Sequence, residues 1–278
     1  MNRRRVFSLL LPLLLLSCGN PTPKEEVSSS SEEPSSLSQE KEKTKVLFVG
    51  NSFTFYGEIP VIFSEIATSL GMSLETNSLT KGSRYFYQFA DPSTDVGAEL
   101  ETILKANHDY DYVVLQEQST YPVSNYEGFA SAAKKLQEKI NATQSHAKIY
   151  LYETWGYEAA AKGASCSIPE YEANLRKAYD QLAKEMDVSV TYVGKAFSDI
   201  YSHHPELNLY YGDKKHPGSL GSYLSACTHV ASMLSLDPRG TNVFSSGMGA
   251  KVHDTYAKVV LKEETARILQ TAAFLATK

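Results

Sequence analysis

Two short segments carry residue types that together could perform acyl transfer. Val49-Gly50-Asn51-Ser52 offers a Ser hydroxyl flanked by small residues, and Tyr211-Gly212-Asp213-Lys214-Lys215-His216-Pro217-Gly218 sets an Asp three residues before a His. A hydroxyl becomes a useful nucleophile only when a base within hydrogen-bond reach takes its proton. Imidazole does this near neutral pH, and a carboxylate on its other nitrogen fixes the tautomer and stabilises the imidazolium. Taken singly, each residue has a plainer role: Ser52 can cap a helix, and Asp213 can accept backbone N–H bonds in a turn with His216 as a bystander. Acyl chemistry needs all three in one place.

The elements that must bring them together are legible in the apolar pattern. Short, β-branched runs at residues 46–50, 74–79, 112–116, 149–153 and 188–193 alternate with helical periodicity at 59–70, 96–106, 126–140 and 169–186, followed by 219–234 and 256–276. Strands this short and apolar suit a parallel sheet buried on both faces, so a single three-layer α/β/α domain over residues 45–278 is expected. Ligands of such sheets bind beyond the carboxyl ends of the strands. Ser52 follows the first strand there, and Gly82 follows the second.

The two segments resemble the first and last blocks of the SGNH (GDSL-like) hydrolases, which read Gly-Asp-Ser and Asp-x-x-His. The resemblance runs from Lys45 to about Ser235 and implies a flavodoxin-like fold with a five-stranded parallel sheet. It also implies Ser52 as nucleophile, His216 as base and Asp213 as its orienting partner. An oxyanion hole would come from the N–H groups of Ser52 and of Gly82, in Thr80-Lys81-Gly82-Ser83, with no metal or organic cofactor. The third block departs from the pattern: the family has Gly-x-Asn-Asp where this chain has Gln116-Glu117-Gln118-Ser119. A Gln amide can donate in place of Asn; Gln118 is the choice, with Gln116 as alternate. Together with Asn51 in place of Asp, this marks a side branch of the family.

Aromatic residues near these loops can border a substrate, and Trp155 and Tyr211 are the expected ones; the clusters Tyr85-Phe86-Tyr87 and Tyr210-Tyr211 could stack on sugar rings. His203-His204 with His216 and Asp213 lacks the spacing of a metal site. No Gly-x-Ser-x-Gly elbow or phosphate-cradling loop occurs.

With 42% hydrophobic and 21% charged residues the chain is of globular type, and a net charge of −5 excludes a basic nucleic-acid surface. Residues 1–17 have the basic, apolar and small-residue regions of a secretory signal, and Leu15-Leu16-Ser17-Cys18 matches a bacterial lipoprotein box, so Cys18 is the expected lipid anchor. Residues 18–44, rich in Ser, Glu and Pro, read as a spacer. Cys166 and Cys227 read as structural thiols, with a bridge possible outside the cytoplasm. The expectation is a membrane-anchored, extracytoplasmic, monomeric serine esterase that removes short acyl groups, acetyl above all, from carbohydrate. Its rivals are an acyl transferase using the same residues and an inactive lipoprotein that binds a glycan or a protein.

Overall fold

In the computed structural model the described residues are 43–106, 109–252 and 255–278; the expected signal, Cys18 and the spacer up to residue 42 lie outside them. The chain runs β1 (Thr44–Gly50), α1 (Ser52–Phe55), a single 3₁₀ turn (Tyr56–Glu58), α2 (Ile59–Ser69), β2 (Leu74–Thr80), α3 (Phe86–Ala90), α4 (Asp95–Lys105) and β3 (Tyr112–Leu115). It continues through α5 (Tyr121–Ser124), α6 (Tyr126–Asn141), β4 (Lys148–Glu153), α7 (Glu158–Gly163), α8 (Ile168–Met186), β5 (Ser189–Tyr192) and α9 (Val193–His203). After a long loop come α10 (Ser219–Leu234), β6 (Ser245–Val252), β7 (Thr255–Val260) and α11 (Glu263–Ala276).

Strands β1 to β5 form one parallel sheet in the order β2-β1-β3-β4-β5. Right-handed crossovers then send α2 and α10 to one face and α4, α6 and α8 to the other. The interior strands are apolar without alternation because both faces are covered: Val46, Leu47, Phe48, Val49, Val113, Val114 and Leu115 are all fully buried. Helix starts follow local chemistry. Asn125 accepts from the Gly128 N–H at the start of α6, and Ser167 and Glu170 form a reciprocal capping box at the start of α8.

Two expectations are corrected. The helix expected over 256–276 begins only at Glu263, because Thr255–Val260 pairs antiparallel with Ser245–Val252 as a hairpin. Residues 193–203 form α9, which starts on the residue after β5 with no side-chain cap to announce it. Cys166 and Cys227 are both free thiols.

Candidate active site

Ser52 sits at the first position of α1, directly past β1, in a turn built by buried polar groups. Asn51 is 2% exposed and caps the helix through Oδ1, which accepts from the Phe53 N–H at 3.1 Å. Its own N–H donates to Gln116 Oε1 at 2.8 Å, and Nδ2 donates to the Arg84 carbonyl at 2.9 Å. The second of these bonds requires an amide, since an Asp side chain has no N–H to give. Gly50 has no room for a side chain: a Cβ there would stand 2.6 Å from Thr54 Oγ1 and 2.7 Å from Gln116 Oε1. The strand end, the Ser52 turn and the loop after β3 are thus in direct contact.

His216 reaches Ser52 across 164 positions of sequence. Its Nε2 lies 2.8 Å from Ser52 Oγ, and its Nδ1 lies 2.5 Å from Asp213 Oδ2. An ionised Asp213 can only accept, which puts the imidazole proton on Nδ1 and leaves Nε2 free to accept from the Ser52 hydroxyl. Asp213 Oδ1 accepts from the N–H groups of Lys215 and His216, both at 3.0 Å. Partial burial alone would raise the Asp213 carboxyl; the His216 side chain and those two N–H groups outweigh it and hold the carboxyl below its ordinary range. The turn and the imagined base–carboxylate pair are therefore one object, with the Asx turn setting the geometry of the pair.

The imidazole is held by rings. Tyr56 stacks on it at 4.2 Å and 13°, and Phe53 flanks it at 5.4 Å. Trp155 is not at the rim, as expected from the sequence, but fully buried: it stacks on Phe197 at 4.2 Å and on Phe53 at 4.8 Å, and its Nε1–H donates to the Lys215 carbonyl at 3.1 Å. Its ring follows β4 into the core, and its one polar atom pins the residue before His216. Tyr211 is 40% exposed and meets Tyr56 edge-on, with the ring centroids 5.8 Å apart.

Gln116 and Gln118 part company. Gln116 is fully buried, with Oε1 accepting from Asn51 and from Thr54 Oγ1 and Nε2 donating to the Glu117 carbonyl, so neither end is free. Gln118 Oε1 accepts from Thr120 N–H, Thr120 Oγ1 and Tyr121 N–H at 2.9 to 3.0 Å, which fixes the amide orientation. Its Nε2, and the N–H groups of Ser52 and Gly82, have no acceptor among the described residues. His203 and His204 pair instead with Asp199 and Glu206 at the end of α9. Among the described residues no group of three or more His, Cys, Asp or Glu is placed to hold a metal.

No family model matches the sequence, and neither does any curated protein. Solved structures do. A candidate SGNH hydrolase from Slackia heliotrinireducens matches with a TM-score of 0.58 and 26% identity over 66% of this chain and 96% of its own. The fold is that of the SGNH-like hydrolases. A DUF4886 family protein from Bacteroides uniformis matches with a TM-score of 0.69 at 15% identity, over 84% of this chain and 95% of its own. A lipolytic G-D-S-L family member from Veillonella parvula matches with a TM-score of 0.51 at 12% identity, over 69% of this chain and all of its own. These neighbours share the SGNH-like sheet and its flanking helices.

Sequence reasoning passed over Tyr56 and Glu117. Nothing local marks Tyr56 as the partner of a residue 160 positions on, whereas a lone acid closing an apolar strand was a usable signal for Glu117.

Proposed function

We propose that the chain is a serine hydrolase of carboxylic esters. The observation that carries the reading is the continuous hydrogen-bonded path from Ser52 Oγ through His216 to Asp213 at the carboxyl edge of the sheet. Ser52 Oγ attacks the ester carbonyl while its proton passes to His216 Nε2; Asp213 stabilises the imidazolium. The carbonyl oxygen becomes an oxyanion facing the Ser52 and Gly82 N–H groups and Gln118 Nε2. Collapse breaks the ester C–O bond, and the alcohol leaves with the proton from His216. Water then repeats the sequence on the acyl-Ser52, releasing the acid and the free hydroxyl.

A short acyl group such as acetyl, carried on a carbohydrate, is the substrate class we propose. Its support is two sets of exposed tyrosines on the loops that carry the site: Tyr211, 40% exposed, two residues before Asp213, and Tyr87, 50% exposed and stacked on Tyr85 at 5.3 Å, with Tyr121 edge-on to Tyr85 at 5.1 Å. Such rings offer flat apolar faces with hydroxyls at their edges, which suits a sugar. We further propose that Cys18 is lipidated and holds the enzyme on the extracytoplasmic face of a bacterial membrane, a reading supported by the N-terminal pattern alone.

The test is hydrolysis of p-nitrophenyl acetate and of an acetylated glycan by the purified protein and by Ser52→Ala. Loss of turnover on the order of 10³-fold or more in the variant is expected. Equal rates in the two proteins would overturn the mechanism and favour a binding protein.

A further inference from the structure

Glu117 follows β3 and is fully buried, and no Lys or Arg pairs with it among the described residues. What it has instead are two backbone donors from different loops. Its Oε1 accepts from the Phe86 N–H at 3.0 Å and from the Gln118 N–H at 2.6 Å, and Oε2 lies 3.2 Å from the same Phe86 nitrogen. Phe86 opens α3, at the end of the loop that begins with Lys81-Gly82. That loop is closed on itself by Arg84 N–H donating to the Lys81 carbonyl at 3.3 Å, and it is fastened to the nucleophile turn by Asn51 Nδ2 on the Arg84 carbonyl. Gln118 belongs to the other loop, and its side-chain carbonyl is already fixed on Thr120 and Tyr121.

We propose that Glu117 is a positioning residue: its carboxyl ties the loop after β2 to the loop after β3, and so sets the Gly82 N–H and the Gln118 amide at a fixed separation on either side of Ser52. The kinetic consequence rests on the esterase reading above; the tie itself does not. A carboxyl suits the task because one oxygen can accept two N–H bonds at once and neither donor is left buried without a partner. Alternatives with one acceptor, such as Gln, can keep both bonds through Oε1, and an apolar residue can keep neither.

The groups that face the carboxyl are Tyr85, from the start of α3, and Tyr179, from α8. Neither supplies a positive charge. Burial pushes the Glu117 carboxyl up to about 8, against the lowering effect of the Gln118 and Phe86 N–H groups. Ionisation above that value adds negative charge beside the place where an oxyanion must form, which opposes the reaction.

The experiment compares the full-length protein with Glu117→Leu and Glu117→Gln by amide hydrogen exchange and by p-nitrophenyl acetate hydrolysis across neutral and alkaline pH. In Glu117→Leu the Phe86 and Gln118 amides should exchange at least about tenfold faster while those of α11 do not change. Its kcat should fall about tenfold to a hundredfold with KM nearly unchanged, because misplaced donors weaken the transition state rather than ground-state binding. Glu117→Gln should restore both. Wild-type kcat/KM should decline as the pH rises through about 8, and Glu117→Gln should lack that decline. Unchanged exchange at Phe86 and Gln118 in the Leu variant overturns the proposal, as does exchange in Glu117→Gln that is as fast as in the Leu variant. If the Leu variant does not fold, Glu117→Gln decides the matter: both amides should exchange as slowly as in the wild type, and faster exchange at both overturns the tie. Turnover surviving in Ser52→Ala would sink the esterase reading while leaving the exchange result to judge the tie alone.

Discussion

The Ser52 turn and the His216 loop meet at one hydrogen bond but are held in place by opposite means. Around Ser52 the fixing groups are polar and buried: Asn51, Gln116, Thr54 and Glu117 satisfy one another and the backbone with almost no solvent. Around His216 they are rings: Tyr56 and Phe53 on the imidazole, and Trp155 beneath Phe53 with its N–H on Lys215. A polar lattice is sensitive to the identity of single atoms, because a donor turned into an acceptor leaves a buried group facing a like charge. A stack of rings is sensitive to volume, because a void forfeits contacts on every side. The Ser52–His216 pair should therefore fail in two distinguishable ways.

The largest effect is expected on the aromatic side. Trp155→Ala removes a fully buried ring that touches Phe53 and Phe197, and should cost about 3–5 kcal/mol of stability. Trp155→Phe keeps most of the stack but drops the bond to the Lys215 carbonyl, so it should unfold much later than the Ala variant. Thermal unfolding of the two variants checks the order. If both melt alike, the ring's packing is not what holds the base loop, and the contrast between the two regions breaks.

On the polar side the decisive change is isosteric. Asn51→Asp alters no volume, yet it turns the Nδ2 donor, 2.9 Å from the Arg84 carbonyl, into an oxygen. A loss of about 1–3 kcal/mol is expected, the cost of a buried bond turned into a repulsion. Asn51→Leu, which abolishes donor and acceptor alike, should be worse, since the Phe53 N–H also loses its cap. An Asp variant as stable as the wild type would show that the turn tolerates either member of the Gly-Asn-Ser and Gly-Asp-Ser pair and that the lattice is looser than its distances suggest.

These contrasts also explain what could be read from the chain. All five strands of the sheet lie within two residues of where the sequence places them; for β1 and β3, buried on both faces, an unbroken apolar run is recognisable without a partner. Ser52, Asp213 and His216 stood out because their spacing is local or carried by a motif. Three things were not legible, each for a non-local reason. The β6–β7 hairpin has Gly247 and Gly249 in its first strand, with weak alternation, and is defined by pairing rather than pattern. Helix α9 follows β5 without a capping side chain. Trp155 follows a strand and so reads as a rim residue, whereas its burial depends on Phe197 and Lys215, 42 and 60 positions away. The choice between Gln116 and Gln118 likewise depends on which amide the nucleophile turn consumes.

The pH dependence is the most discriminating contrast, because it has opposite signs in the two regions. Asp213 lies below its ordinary range, so the folded state binds its proton less readily than the unfolded chain, and its contribution to stability is lost as the pH falls through the acid range. Glu117 is pushed up to about 8 and Glu153, buried beside Arg176 at 2.5 Å, up to about 7. Between their ordinary value near 4.5 and these raised values the folded protein holds more protons than the unfolded chain, so stability falls as the pH rises. One such group gives a slope of at most about 1.4 kcal/mol per pH unit. Urea unfolding of the wild type from mildly acidic to mildly alkaline pH should therefore show declining stability over that interval, and Glu117→Gln should flatten part of the decline while leaving the acid limb, to which Asp213 contributes with the other lowered carboxylates such as Asp95 and Glu185, where it was. A variant whose acid limb moves with its alkaline one would mean that the two regions are electrostatically coupled, and the separation between a polar nucleophile turn and an aromatic base loop would have to be abandoned.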